Sequence, residues 1–154
     1  MHPGPLNRGV EIASEVAGAL SLAHDRNIIH RDIKPDNVIL FPENRLRLSD
    51  FGIAKVAQHT IDATGSGTLG YMAPEQVRGQ ADIDGRADLY ALGCVAYWLL
   101  TGRMVFEASS AMEVLTHHLH TIPTAPSTQT ELPIPPELDE LILRCLAKSP
   151  DERP

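Results

Sequence analysis

Cysteine is scarce, long apolar runs are missing and basic side chains are outnumbered, and each shortage narrows what this chain can be. Cys94 and Cys145 are its two cysteines, far apart and each set in an apolar helical pattern. They lack the close spacing of metal ligands or of a disulfide framework, so both are expected to be reduced core residues. The longest apolar stretch, Leu89 to Leu100, is too short to cross a bilayer and contains Gly93, which makes it a buried helix instead. The opening Met1-His2-Pro3-Gly4-Pro5 has neither the basic segment nor the apolar run of a secretory signal, so a cytoplasmic location is expected. Lys and Arg number 13 against 20 Asp and Glu, a formal net charge of −7. That balance offers no clustered positive footprint for a phosphate backbone or an anionic membrane surface, so neither nucleic acid nor membrane is expected as a partner of this segment. What remains is ordinary globular usage, 43% hydrophobic and 21% charged over 154 residues, which suits one folded domain.

Periodicity divides the chain into a few elements. From Asn7 to about Asp25, Ile12, Ala13, Val16, Ala17, Leu20 and Ala23 recur at intervals of three and four, the pattern of an amphipathic helix. A polar loop, His30 to Asp36, leads into two short β-type runs, Asn37 to Leu40 and Leu46 to Leu48, around a turn-forming Phe41-Pro42-Glu43-Asn44-Arg45. Residues 53–73 hold no sustained period and carry Thr60, Thr64, Gly65, Ser66, Gly67, Thr68 and Gly70, the composition of a long exposed loop, which in a compact domain is usually functional. Arg86 to Leu100 is apolar nearly all round and is closed by Gly102, so it should form the central core helix. Ser109 can cap a helix through about His120, five prolines between Pro123 and Pro136 impose an extended connection, and Glu137 to Lys148 reads as a last helix.

The chemistry lies in three short strings: His30-Arg31-Asp32-Ile33-Lys34-Pro35-Asp36-Asn37, then Asp50-Phe51-Gly52 after the hairpin, then Ala73-Pro74-Glu75 closing the loop. In this order and at these separations they resemble the catalytic loop H-R-D-x-x-x-x-N, the D-F-G element and the A-P-E motif of protein kinases. The resemblance implies a protein kinase-like fold of class α+β, mainly α, represented by its larger C-terminal lobe with a small β-hairpin beside the catalytic loop. It implies transfer of the ATP γ-phosphate to Ser/Thr hydroxyls of protein substrates, with Mg2+ as cofactor. In style the His30–Asn37 string and Leu146-Ala147-Lys148-Ser149-Pro150 look bacterial.

Residue by residue, the resemblance assigns Asp32 as the base that orients the acceptor hydroxyl and takes its proton. Lys34 looks like the lysine that serves serine/threonine kinases by neutralising phosphoryl oxygens, and it argues against a tyrosine kinase. Asn37 and Asp50 supply the hard oxygen atoms that Mg2+ prefers. Arg31 resembles the arginine that senses a phosphorylated activation loop, with Thr60, Thr64 and Ser66 as candidate phosphosites. Thr68 matches the threonine linking the substrate-facing loop to Asp32 and Lys34. Asp88 resembles the aspartate that holds the catalytic-loop backbone, and Arg153 the arginine paired with Glu75; these belong to the scaffold.

Three other readings stand beside this one. Gly65-Ser66-Gly67-Thr68-Leu69-Gly70 matches the G-x-G-x-x-G string of nucleotide-binding loops, but with no strand before it and no helix opening within it the required context fails, and it is assigned to the substrate-facing loop. His117, His118 and His120 lack carboxylate or cysteine company at metal-ligand spacing and read as a helix surface. A divalent-metal phosphohydrolase built on Asp32 and Asp50 would need further bridging ligands. No lysine precedes Lys34, and Gly4, Gly9 and Gly18 form no phosphate loop, so the chain is expected to be a partial kinase domain, residues 1–154, without the small N-terminal lobe and the final helix. Alone it is expected to be inactive, and the alternative function is a truncated lobe that serves as a non-catalytic interaction module.

Overall fold

A computed structural model describes residues 4–51 and 66–154. Among them the chain is mainly helical: α1 (Pro5–His24), α2 (Ser66–Leu69), α3 (Pro74–Val77), α4 (Arg86–Thr101), α5 (Ala111–His120) and α6 (Pro136–Cys145), with one antiparallel pair, β1 (Val38–Phe41) and β2 (Arg45–Leu48).

α4 is the centre because its sequence is apolar on nearly every face. Eleven of its residues are buried, including the two tyrosines Tyr90 and Tyr97, and only Trp98 near its end stands exposed. A fully buried side chain of this size contributes about 1.5–3 kcal/mol. α1 packs on one side of α4 with Val16 and Leu20, and α6 packs on another with Ile142. Gly93 makes the second contact possible. A Cβ there would lie 2.8 Å from the Cys145 Cβ and 3.2 Å from Leu146 Cδ2, so a side chain would force α6 away from α4. Both cysteines are free and buried in this seam, and burial pushes both thiols up from their ordinary range.

Helix α4 ends where Gly102 takes a left-handed φ of 69°, its N–H closing onto the Trp98 carbonyl at 2.8 Å. The hairpin registers Val38 with Leu48 and Phe41 with Arg45. Pro42–Asn44 makes its turn, with Glu43 at φ 66°. The inner hydrophobic side of β2, Leu46 and Leu48, rests against the core, while Ile39, Leu40 and Phe41 of β1 are exposed.

Five sequence expectations are corrected here. Within the expected exposed loop over residues 53–73, the described part is not an exposed loop: α2 and the turn after it occupy Ser66–Gly70, and Tyr71 and Ala73 are buried because they join the α4 core. The same helix opens inside the G-x-G-x-x-G string, although it is one turn long. The cap of α5 is Ser110, whose side chain accepts from the Glu113 N–H at 3.2 Å, while Ser109 binds the Glu113 carboxylate. α6 stops at Cys145 instead of Lys148, because Leu146 leaves helical geometry to fill the space beside Gly93. The reading of His117–His120 as a helix surface fails at His118, which is wholly buried between α4 and α5.

Candidate active site

The loop after α1 is held from below by one carboxylate. Asp88, in the first turn of α4 and buried, accepts the backbone N–H of His30 at Oδ2 and of Arg31 at Oδ1, both at 2.9 Å. His24, the last residue of α1, places Nε2 2.8 Å from the same Oδ2. The buried N–H of His30 and the half-buried N–H of Arg31 are thereby satisfied by a single side chain. Arg31 takes the left-handed φ of 70°, and its carbonyl accepts from the Gln76 side chain at 3.0 Å, so α3 also grips the loop at its sharpest bend.

His30 ties this loop to the segment after the hairpin. It is fully buried, and its Nδ1 accepts the Asp32 backbone N–H at 3.2 Å. The proton therefore sits on Nε2, which donates to the Ser49 carbonyl at 2.8 Å. Its ring also lies 4.3 Å, centroid to centroid, from Phe51. The hairpin register completes the closure: the Ser49 N–H donates to the Asn37 carbonyl at 2.9 Å, which sets Asn37 and Asp50 at the same end of the ribbon.

The polar side chains then converge. The Asn37 amide donates to the Asp32 carbonyl at 2.8 Å and to its carboxylate at 3.2 Å, leaving the amide oxygen as an acceptor. The Lys34 ammonium donates to Thr68 Oγ1 at 2.7 Å and stands 4.0 Å from the Asp32 carboxylate. Asp50, at a left-handed φ of 52°, keeps an exposed carboxylate that accepts from Ser49 Oγ at 3.3 Å. Two or three hard oxygens beside one ammonium fit a divalent cation that carries phosphate ligands of its own, so the donor set suits Mg2+. A carboxylate next to a cation can orient a hydroxyl and take its proton while the ammonium offsets phosphoryl charge.

Below the loop lies a buried ion pair. Arg153 meets Glu75 through two parallel bonds of 2.6 and 2.8 Å, and its remaining donors reach the carbonyls of Arg86, Ala147 and Lys148. Its guanidinium also sits 5.1 Å above the Tyr90 ring. Every charged donor is used, which is the condition under which such a pair is tolerated inside a protein.

Of the residues singled out from the sequence, Asp32, Lys34, Asn37 and Thr68 are brought together by direct bonds, Asp50 is placed beside them by the hairpin, and Arg31, Asp88, Glu75 and Arg153 form the support. Ser66 opens α2. Thr60 and Thr64 lie outside the described residues. Sequence reasoning passed over His24, His30 as a bridge, and Gln76. Their only sequence signal is position, one at the end of α1, one opening the catalytic string and one just after Ala73-Pro74-Glu75.

Residues 6–154 match the protein kinase domain family. Relatives include the serine/threonine-protein kinase pkn3 of Myxococcus xanthus, 42% identical over 97% of this chain and 30% of its own length. PknB of Mycolicibacterium smegmatis is 40% identical over 97% of this chain and 25% of its own. Pkn1 of Myxococcus xanthus is 44% identical over 97% of this chain and 23% of its own. The chain thus spans between a quarter and a third of the length of the first two and slightly less of the third. With the family match running through every element that builds the site, the chain belongs to the protein kinase domain family.

Proposed function

We propose that this chain is the larger lobe of a serine/threonine protein kinase, which transfers the γ-phosphoryl group of ATP to Ser or Thr hydroxyls of protein substrates. The observation that carries the reading is the Asp32–Lys34–Thr68 cluster, in which one ammonium contacts both the proposed base and the substrate-facing turn. Asp32 orients the acceptor hydroxyl and receives its proton as the oxygen attacks the γ-phosphorus; the bond from phosphorus to the bridging oxygen breaks and ADP leaves with that electron pair. Lys34 stays beside the phosphoryl oxygens, and its bond to Thr68 sets where the acceptor must lie. The Asn37 amide oxygen and the Asp50 carboxylate would hold Mg2+, which when bound would neutralise phosphate charge.

Names of relatives that are serine/threonine-protein kinases support the acceptor class. Among the 154 residues no lysine precedes Lys34 and no glycine-rich loop precedes the catalytic string. The 154-residue chain by itself therefore binds Mg-ATP weakly and turns over negligibly. Arg31 would pair with phosphate placed on Thr60, Thr64 or Ser66, which are proposed as activation-segment phosphosites.

The test is phosphate transfer from labelled ATP to Ser- and Thr-containing peptides by the whole protein. Asp32→Asn should lower kcat by about 10^2 to 10^4, the usual share of a positioned base, with little change in thermal stability. Transfer unaffected by that substitution, or directed to tyrosine, overturns the reading.

A further inference from the structure

The peptide unit that leads into Asp32 is held at both of its polar ends. Its N–H, that of Asp32, donates to His30 Nδ1 at 3.2 Å, and its carbonyl, that of Arg31, accepts from the Gln76 side chain at 3.0 Å. The peptide before it is held as well, through the Arg31 N–H on Asp88 at 2.9 Å. Arg31 needs these restraints because its φ of 70° lies in the left-handed region, which is strained for a residue with a side chain. Such a conformation persists only where its surroundings fix it. The plane of the Arg31–Asp32 peptide in turn sets the direction in which the Asp32 side chain leaves the backbone.

Gln76 is the clamp that comes from the segment closing on Ala73-Pro74-Glu75. It is the third residue of α3, and its amide oxygen reaches back to accept the backbone N–H of Ala73, the residue before the helix, at 3.1 Å. One side chain thus accepts from Ala73 and donates to Arg31. A backbone N–H only donates and a carbonyl only accepts, so the amide has a single orientation that satisfies both. α3 is itself anchored, because Ala73 is fully buried and Glu75 is bound through both carboxylate oxygens to Arg153.

A neutral amide is what this place requires. Glutamate has the same length but offers only acceptors when ionised, and its second oxygen would face the Arg31 carbonyl. Leucine fills similar space and satisfies neither partner.

We propose that Gln76 is a positioning residue for Asp32: its amide fixes the Arg31–Asp32 peptide plane and ties it to the start of α3, so the direction of the base is set from the Ala73-Pro74-Glu75 end of the loop as well as from α4. This deepens the kinase reading and rests on it for the role of Asp32 as base.

The test is made on the whole protein with Gln76→Leu and Gln76→Glu. At neutral pH both should lower kcat for peptide phosphorylation by about ten- to a hundredfold, the range from one lost hydrogen bond to a reacting group misplaced by about 1 Å, and leave the KM for ATP unchanged. Gln76→Glu carries a second readout, since its protonated acid can again accept from Ala73 and donate to Arg31. Its kcat relative to wild type should therefore recover as pH is lowered from about 8 to about 5, toward the carboxyl range, while the same ratio for Gln76→Leu stays flat. An unchanged kcat in both variants, a flat ratio for Gln76→Glu, or a KM for ATP that rises as kcat falls overturns the proposal. If Gln76→Leu does not fold, Gln76→Glu decides alone, because its recovery compares one folded variant with itself. If the protein and its Asp32→Asn variant transfer phosphate equally, the kinase reading fails, and hydrogen exchange at the Asp32 amide still decides the positioning role. Faster exchange in Gln76→Glu than in wild type at neutral pH supports it; equal exchange overturns it.

Discussion

Arg153 and Glu75 illustrate what single residues decide in this protein. Both are buried, and their two parallel bonds are backed by three carbonyls on the arginine. Glu75→Gln removes the negative charge and leaves the guanidinium buried without its counterion, at a cost of about 3–5 kcal/mol; urea unfolding at neutral pH measures it. His118 makes a second prediction, in pH. Burial first, and then the Lys148 charge, push its folded value down from 6.5 to about 4, with His117 adding and the Gly70 backbone opposing. Between those values the unfolded chain binds the proton and the folded chain does not. The contribution of His118 to stability is therefore full above pH 6.5 and is lost as pH falls toward 4. Denaturation of wild type and His118→Gln at pH 7 and pH 5 should show a smaller pH difference in the variant.

Elements place these residues, and two glycines shape them, one by ending α4 and one by letting α6 approach it. Gly102 stops α4 in a left-handed conformation, so Gly102→Ala should cost about 1–2 kcal/mol through backbone strain alone, read as a lower midpoint in denaturant. Gly93→Val puts its side chain against Cys145 and Leu146, and overpacking of that kind costs about 1–3 kcal/mol. A larger loss at Gly93 than at Gly102, with far-ultraviolet dichroism preserved, separates seam packing from helix termination. The hairpin matters through register. Pairing Val38 with Leu48 places Asn37 and Asp50 at one end, and slipping it by one residue would turn Leu46 and Leu48 out of the core.

At the scale of the whole molecule, the hairpin carries apolar side chains that nothing among the described residues covers. Ile39, Leu40 and Phe41 on the hairpin and Phe51 beyond it are exposed. The 154-residue chain should bind an environment-sensitive apolar dye at this face, and Leu40→Lys should reduce that signal. It should also show no phosphate transfer above background; efficient phosphorylation of any protein by the purified chain would overturn that expectation. No described helix is long and apolar enough to cross a membrane.

Much of this was legible without coordinates, because the information was local. Helix periods, the glycine stop after α4, the turn between β1 and β2, and the strings holding Asp32, Lys34 and Asn37, then Asp50, then Glu75 are each set by residues close together along the chain. Three distant pairings, Glu75 with Arg153, Asp88 with the catalytic loop and Thr68 with Lys34, came from the resemblance; what could not be read were the others: His24 joining Asp88, His30 bridging to Ser49, Gln76 gripping Arg31, and His118 buried instead of exposed. The polar pattern of α5 has histidine on both faces, so composition could not tell which of them the fold would bury. Local strings determined the chemistry this chain is equipped for, since the required side chains and turns are set by neighbours in sequence. Tertiary structure alone decided which polar groups support that chemistry, since a buried donor or acceptor takes whichever partner packing brings within reach.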